Sequence, residues 1–126
     1  MLKHAEMLFK AVGDRTRLRI LKMLGAGPLC VCQIVETLKL SQSTVSKHLS
    51  ILSGVDLVDS AHRGKWTFYK LAKPETPEAR RLLAAVKCCA SEDPEVARDL
   101  AKVGEKEIQS LATCHLPGRG GKARKP

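Results

Sequence analysis

Apolar residues recur at helical spacing along most of the chain. Over residues 2–12, Leu8, Phe9 and Val12 fall on one face, and Gly13-Asp14 ends that segment. A second helix, which Thr16 is placed to cap, carries Leu18, Leu21 and Leu24 and stops at Gly25-Ala26-Gly27-Pro28. Val31, Ile34, Val35 and Leu38 form a third stripe. After the short turn Lys39-Leu40, Ser41 has the side chain to cap a fourth helix. There Val45, Leu49 and Leu52 stand at i, i+4 and i+7, which leaves Gln42, Ser43, Thr44, Ser46, Lys47 and Ser50 on or near the outward side.

From Asp59 to Leu71 the period changes. Trp66, Thr67 and Phe68 follow a tip at Arg63-Gly64-Lys65, the pattern of two short strands joined by a turn. Trp66, Phe68 and Tyr69 are best used as anchors of this hairpin on the core, while Arg63 and Lys65 remain free for a polyanion. Helical spacing then resumes. Thr76 can cap a helix that starts at Pro77, carries Leu82, Leu83 and Val86, and reaches Cys88-Cys89 before the break at Ser91-Glu92-Asp93-Pro94. A further helix from Pro94 bears Val96, Leu100, Ile108 and Leu111 and ends near Cys114-His115. Beyond it, Pro117, Gly118, Gly120 and Gly121 read as a disordered basic tail.

The expected fold is mainly α with a small β-hairpin wing. Its organisation is a main unit over 1–90 that holds the hairpin, a C-terminal helix over 91–116 with Cys114, and the tail over 117–126. Two amphipathic helices joined by so short a turn match a helix-turn-helix, whose second helix offers polar residues to the major groove. Gln42 can pair with adenine, Lys47 with guanine or phosphate, and the hydroxyls of Ser41, Ser43, Thr44 and Ser46 with base edges or phosphate. His48 can touch DNA or steady the helix. A solvated helix face would carry the same residue types, and the cationic hairpin that follows is what favours the nucleic-acid reading.

Charge and cysteine content narrow the class further. A formal net charge of +9 in 126 residues points to a polyanionic partner, although Arg119, Lys122, Arg124 and Lys125 lie in the tail. Lys3, His4, Glu6 and Lys10 interrupt any leader-like run, and no segment reaches the ~20 apolar residues of a membrane span, so the expected location is cytoplasmic. In a reducing compartment the five cysteines cannot be assumed to form a disulfide framework, and an odd number leaves one thiol over in any case. Inert packing, soft-ion binding or redox sensing are the uses left. An enzyme is not expected. The chain lacks the Cys-x-x-Cys of a thiol reductase, and Cys114 to Arg119 is one residue short of a phosphate-cradling loop.

The segments AVGDRTRLRILKML (11–24), LCVCQIV (29–35), LSQSTVSKHLSIL (40–52) and RGKWTFYKL (63–71), in that order, resemble the ArsR/SmtB family of small winged-helix repressors. The resemblance covers roughly Leu2 to Leu71 and implies that 1–90 is the DNA-binding and dimerisation unit. It implies a homodimer that sits on double-stranded operator DNA and leaves it when an ion, an oxidant or a sulfur species occupies a sensor site. It also implies that the first helix and the helix after the wing pack across the dimer axis. Cys30 and Cys32 resemble the thiol pair of members that respond to As(III), Sb(III), Cd(II) or Pb(II). Where some arsenite sensors add a third cysteine, this chain has Val35; Arg15 replaces a usual proline and Asp56 a frequent glycine.

Trivalent arsenic and antimony are thiophilic, and thiols two residues apart converge only if the first turn is not regular helix. Three thiol assignments compete: Cys30 and Cys32 with Cys114 of the same or the partner chain, Cys88 and Cys89 with Cys114, or two separate sites. The first uses the pair whose surroundings match best. Pro77 to Ala90 contains no His or Asp, so a site of imidazole and carboxylate ligands on that helix is disfavoured. A repressor released by As(III) or Sb(III), with Cd(II) and Pb(II) as further candidates, is the reading the sequence favours. A redox- or sulfide-responsive switch of the same fold and a constitutive architectural DNA-binding protein are the alternatives.

Overall fold

The computed structural model describes residues 2–114, 117–118 and 122–123. Helices α1 (Leu2–Val12) and α2 (Arg15–Leu24) lead to a two-residue strand β1 (Leu29–Cys30), then α3 (Val31–Leu38) and α4 (Gln42–Gly54). The hairpin β2 (Val58–Arg63) and β3 (Trp66–Leu71) precedes α5 (Pro77–Cys88), α6 (Pro94–Val103) and α7 (Lys106–Cys114). Short strands β4 (Pro117–Gly118) and β5 (Lys122–Ala123) pair with each other. Among the described residues no helix is long and apolar enough to cross a membrane.

The expected stripes build one core. Leu8, Ile20, Leu21, Met23, Ile34, Val45, Leu49, Leu52, Leu57 and Val58 are essentially excluded from solvent, and Leu83 and Val86 of α5 close the same cluster. Their burial is the main source of stability, at roughly 1.5–3 kcal/mol for each large side chain. Ser41 and Thr76 cap α4 and α5 as their positions predict, each oxygen accepting the backbone N–H three residues on (Thr44 at 3.2 Å, Ala79 at 3.1 Å).

Several local expectations are corrected. Asp14, not Thr16, caps α2, its carboxylate accepting the Arg17 N–H at 3.0 Å; an aspartate just before the first helical residue outcompetes a threonine already inside the first turn. On α1, Ala11 joins Leu8 and Val12 in the core, and Phe9 is 66% exposed, turned out on the side of Leu2. The hairpin is extended to a three-stranded sheet of order β1-β3-β2, because Leu29 and Cys30 pair with Tyr69 and Phe68. The C-terminal segment expected as one helix is two, divided after Val103, where Gly104 ends α6.

Ionic contacts fix α6 on α2. The guanidinium of Arg19 donates to both carboxylate oxygens of the buried Asp99, at 2.8 and 2.9 Å, and lies 3.4 Å from Glu95. Arg15 reaches the same Glu95 at 2.7 Å. The Asp99 hydrogen bond is the main reason the Arg19 pKa is raised further above its ordinary value, against the opposing cost of burial. The end of α5 is held by Lys22, whose ammonium donates to the carbonyls of Val86, Lys87 and Cys89 at 3.1, 3.0 and 2.6 Å. A cation at a helix C-terminus meets both unpaired carbonyls and the negative end of the dipole.

Candidate nucleic-acid interface and thiol site

Helix α4 presents its polar residues where the pattern predicts. Ser41, Gln42, Ser43, Thr44, Ser46 and Lys47 are exposed, and Val45, Leu49 and Leu52 face inward. The hydroxyls at the helix start form a cluster in which Ser41 donates to Thr44 Oγ1 at 2.9 Å and lies 3.2 Å from Ser43 Oγ. That cluster sits at the positive end of a 13-residue helix, a favourable place for a phosphate oxygen.

His48 is placed differently from its neighbours. It is half-buried, with Nδ1 3.1 Å from Arg17 Nη1. Since guanidinium only donates, Nδ1 is the acceptor. Arg17 also donates to the carbonyls of Ala11 at 2.6 Å and Lys10 at 3.2 Å, so one side chain binds the end of α1 to the middle of α4. The Arg17 backbone N–H holds the Asp14 carboxyl below its ordinary 3.8, against a smaller opposing effect of burial and with help from the charge of Arg17.

The wing places Arg63 and Lys65 at an exposed turn. Arg63 pairs with Trp66, so Gly64 and Lys65 alone span the turn, and Gly64 takes φ +61°. Glycine is the residue that adopts this value without a Cβ clash. Trp66, Phe68 and Tyr69 are half-buried, and Tyr69 packs on the core as the anchoring role predicts.

Cys30 and Cys32 meet the condition set by their spacing. Cys30 precedes α3 in an extended conformation (φ −84°, ψ 161°), while Cys32 lies in its first turn. Their Cα atoms are 5.4 Å apart and the sulfurs are joined as a disulfide. Cys30 is 1% exposed and Cys32 half-buried. Gln33, which the sequence reading passed over, holds this turn: its Oε1 accepts the Cys30 N–H at 2.8 Å and its Nε2 donates to the Ile108 carbonyl of α7 at 3.3 Å. A glutamine three residues after a helix cap is the spacing of a capping box, which is the signal that could have found it.

A cavity of about 180 Å3 brings the two chemistries together, lined by Cys30, Val31, Cys32, Gln42, Lys65, Trp66 and Thr67. The thiol pair, the start of α4 and the wing turn therefore face one space. The pairing of Cys30 with Phe68 explains this proximity, since it fixes the thiol turn against the wing strand.

Cys88 and Cys89 are exposed at the end of α5 and do not line that cavity. Each thiol is directed at a carbonyl of its own helix, Cys88 Sγ to Ala85 at 3.5 Å and Cys89 Sγ to Val86 at 3.3 Å. Cys114 ends α7, which packs on α3, but its side chain lies outside the described residues. Among the described residues no group of three His, Cys, Asp or Glu side chains converges as a metal site.

Comparison with known proteins agrees with the winged helix-turn-helix fold. The profile described as bacterial regulatory protein, arsR family, matches residues 14–60. The chain is similar to an uncharacterized HTH-type transcriptional regulator of Methanocaldococcus jannaschii, 42% identical over 63% of this chain and 90% of that one. It is similar to the arsenical resistance operon repressor of Bacillus subtilis, 34% identical over 71% of this chain and 83% of that protein. Among solved structures it is similar to reduced HlyU from Vibrio cholerae, with TM-score 0.57 and 31% identity over 69% of this chain and 90% of that one.

Proposed function

The chain belongs to the arsR family of bacterial regulatory proteins, and on that premise we propose that it is a homodimeric repressor that leaves its operator when As(III) or Sb(III) is captured by Cys30 and Cys32. As a member of this family it is a DNA-binding transcriptional regulator with a winged helix-turn-helix, not an enzyme. A metal or metalloid inducer is suggested by its relatives, which include the arsenical resistance operon repressor of Bacillus subtilis and an SmtB homolog of Synechocystis. The proposed setting is the cytoplasm, where thiols stay reduced.

The observation that carries the reading is the shared cavity of Cys30, Cys32, Gln42 and Lys65. Thiolate is the donor that soft trivalent ions prefer, and the pair converges where no regular helix could bring it. Thiolate is also favoured at the positive end of α3. Capture there alters the turn that Gln33 secures, and that turn is paired to the wing strand and adjoins α4. Release then needs only a short mechanical path. Cys114 is the proposed third thiolate, with Cys88, Cys89 and Cys114 as the competing set; Cd(II) and Pb(II) would compete for the same sulfurs.

In the proposed complex Ser41, Gln42, Ser43, Thr44, Ser46 and Lys47 meet the major groove, and Arg63 and Lys65 meet phosphate beside it. His48 acts from behind, by seating α4 on Arg17. The exposed Leu2 and Phe9 of α1, at 86% and 66%, support a dimer surface on that helix. A two-fold dimer reads half-sites about 34 Å apart, one helical turn.

The test is fluorescence anisotropy of a labelled candidate operator bound by fully reduced protein and titrated with arsenite, antimonite, Cd(II) and Pb(II). Release by arsenite that disappears in Cys30→Ser and Cys32→Ser supports the reading, and unchanged release in both variants overturns it. Loss in Cys114→Ser alone identifies the third thiolate. One observation favours a second reading: the joined sulfurs of Cys30 and Cys32 fit a thiol–disulfide switch. Under that reading an oxidant releases the operator and arsenite does not.

A further inference from the structure

The cavity beside the thiol pair is chemically two-sided. Both cysteines line it, Cys30 only 1% exposed and Cys32 the more accessible. Lys65, Gln42, Thr67 and Trp66 line the same space. Lys65 takes part in none of the ion pairs among the described residues. About 180 Å3 is room for several waters or a small organic group.

We propose that this cavity binds a small thiol bearing a carboxylate, which enters as its symmetrical disulfide and joins Cys32 as a mixed disulfide. The carboxylate meets the Lys65 ammonium and the Gln42 amide, which leaves the sulfur end of the molecule beside Cys32. The Cys32 thiolate attacks one sulfur of the small disulfide. A Cys32–sulfur bond forms, the small S–S bond breaks, and one small thiolate leaves with the bonding pair and takes up the proton that Cys32 gave to water. The Cys30 thiolate then attacks Cys32 Sγ, closing the Cys30–Cys32 disulfide and expelling the second small thiolate with the bonding pair, which takes up the proton that Cys30 gave to water. Two protein thiols are oxidised to one disulfide, and one small disulfide is reduced to two thiols.

This inference rests on the thiol–disulfide reading of the pair. It adds the class of molecule that exchanges with it and the residue that selects that class. While the mixed disulfide persists, its occupant covers Gln42 and Lys65, two groups proposed to meet DNA. Ordered this way, the exchange partner and the operator compete for the same side chains.

The experiment uses Cys30→Ser, which lacks the resolving sulfur, with Cys88, Cys89 and Cys114 also replaced by serine, so that any adduct accumulates on Cys32. Two probes are compared by intact mass and peptide mapping: the disulfide of 3-mercaptopropionic acid, which is anionic, and cystamine, which is cationic. The quantity read is the ratio of their rates, followed with Lys65→Glu and, as a charge-matched control on α1, with Lys3→Glu. At low ionic strength Lys65→Glu is expected to lower the anion-to-cation ratio roughly fivefold or more, and Lys3→Glu less than about twofold. Equal shifts in the two variants, or no adduct on Cys32, would overturn the proposal. Closure of the wild-type pair is measured separately. Failure to close under either probe sinks the redox reading, while closure without a Lys65-dependent preference keeps that reading and sinks this one.

Discussion

Cys30 is paired in register with Phe68 across the antiparallel β1 and β3, while its sulfur is joined to Cys32 on α3. One residue thus belongs both to the sheet that carries the wing and to the turn that opens the first helix of the helix-turn-helix. A change at its sulfur acts on a backbone already shared with the wing.

Base reading and phosphate contact should separate by residue. Gln42→Ala is expected to cost roughly 1–3 kcal/mol on the cognate operator and little on unrelated DNA. Lys65→Ala should weaken both by similar factors and reduce the slope of log affinity against log salt by about 0.9. Anisotropy titrations over a salt series check both; equal slopes in wild type and Lys65→Ala would remove the wing turn from the interface.

Gln33 is buried with both ends of its amide bonded, one to Cys30 and one to Ile108. Gln33→Leu keeps the bulk and orphans the Cys30 N–H, so a loss of roughly 1–3 kcal/mol is expected. Urea unfolding measures it. Hydrogen exchange of α7 amides should quicken in the same variant.

The two sides of the α2–α6 clasp are unequal. Removing Arg19 strands a carboxylate at Asp99 that is 5% exposed, and Arg19→Ala should destabilise by roughly 2–4 kcal/mol. Arg15 is exposed, and Arg15→Ala should cost under about 1 kcal/mol. A double-mutant cycle of Arg19 and Asp99 should return a coupling well above that of Arg15 and Glu95.

Lys39 and Asp56 hold φ values of +59° and +61°. Lys39 ends α3, its N–H bonded to the Val35 carbonyl at 2.8 Å, and its ion pair with Glu36 is exposed. Lys39→Gly should therefore stabilise the protein by about 0.5–1 kcal/mol. Asp56→Gly should do so by a similar or smaller amount, aspartate being the more tolerant of this conformation. Thermal unfolding of each variant decides.

Asp14 links stability to acid. Its folded-state pKa is held below the ordinary 3.8, chiefly by the Arg17 backbone N–H. The stabilisation is therefore complete above 3.8 and drains away as pH falls through the lower folded-state value. Asp14→Ala should cost about 1 kcal/mol at neutral pH. Urea midpoints of wild type and variant should draw together as pH falls below 3.8 and through the lowered folded-state pKa.

What the sequence disclosed followed the strength of local signals. The stripes of α3 and α4 and the caps Ser41 and Thr76 were legible because spacing and capping chemistry agree at those positions. Strand β1 was not, since two residues carry no period and their pairing with Phe68 and Tyr69 is set from nearly forty positions away. Phe9 misled because an apolar residue beside a stripe looks like part of it, and only packing shows that Ala11 takes that place. The thiol pair was legible as chemistry, but its meeting with Gln42 and Lys65 depends on the fold of the wing. Contact with DNA and support of the helix were both open to His48 in the sequence, because the Arg17 that bonds its ring comes from another helix.

The sheet order β1-β3-β2 leaves β2 as an open edge, and an open edge is a template on which another chain can stack. Most of β2 is exposed, and Asp59, His62 and Arg63 stand along it. Charged side chains on a short edge strand discourage such stacking. A protein kept at high concentration should therefore resist wing-to-wing fibril growth, a resistance that substituting Asp59 and Arg63 with valine and threonine would erode.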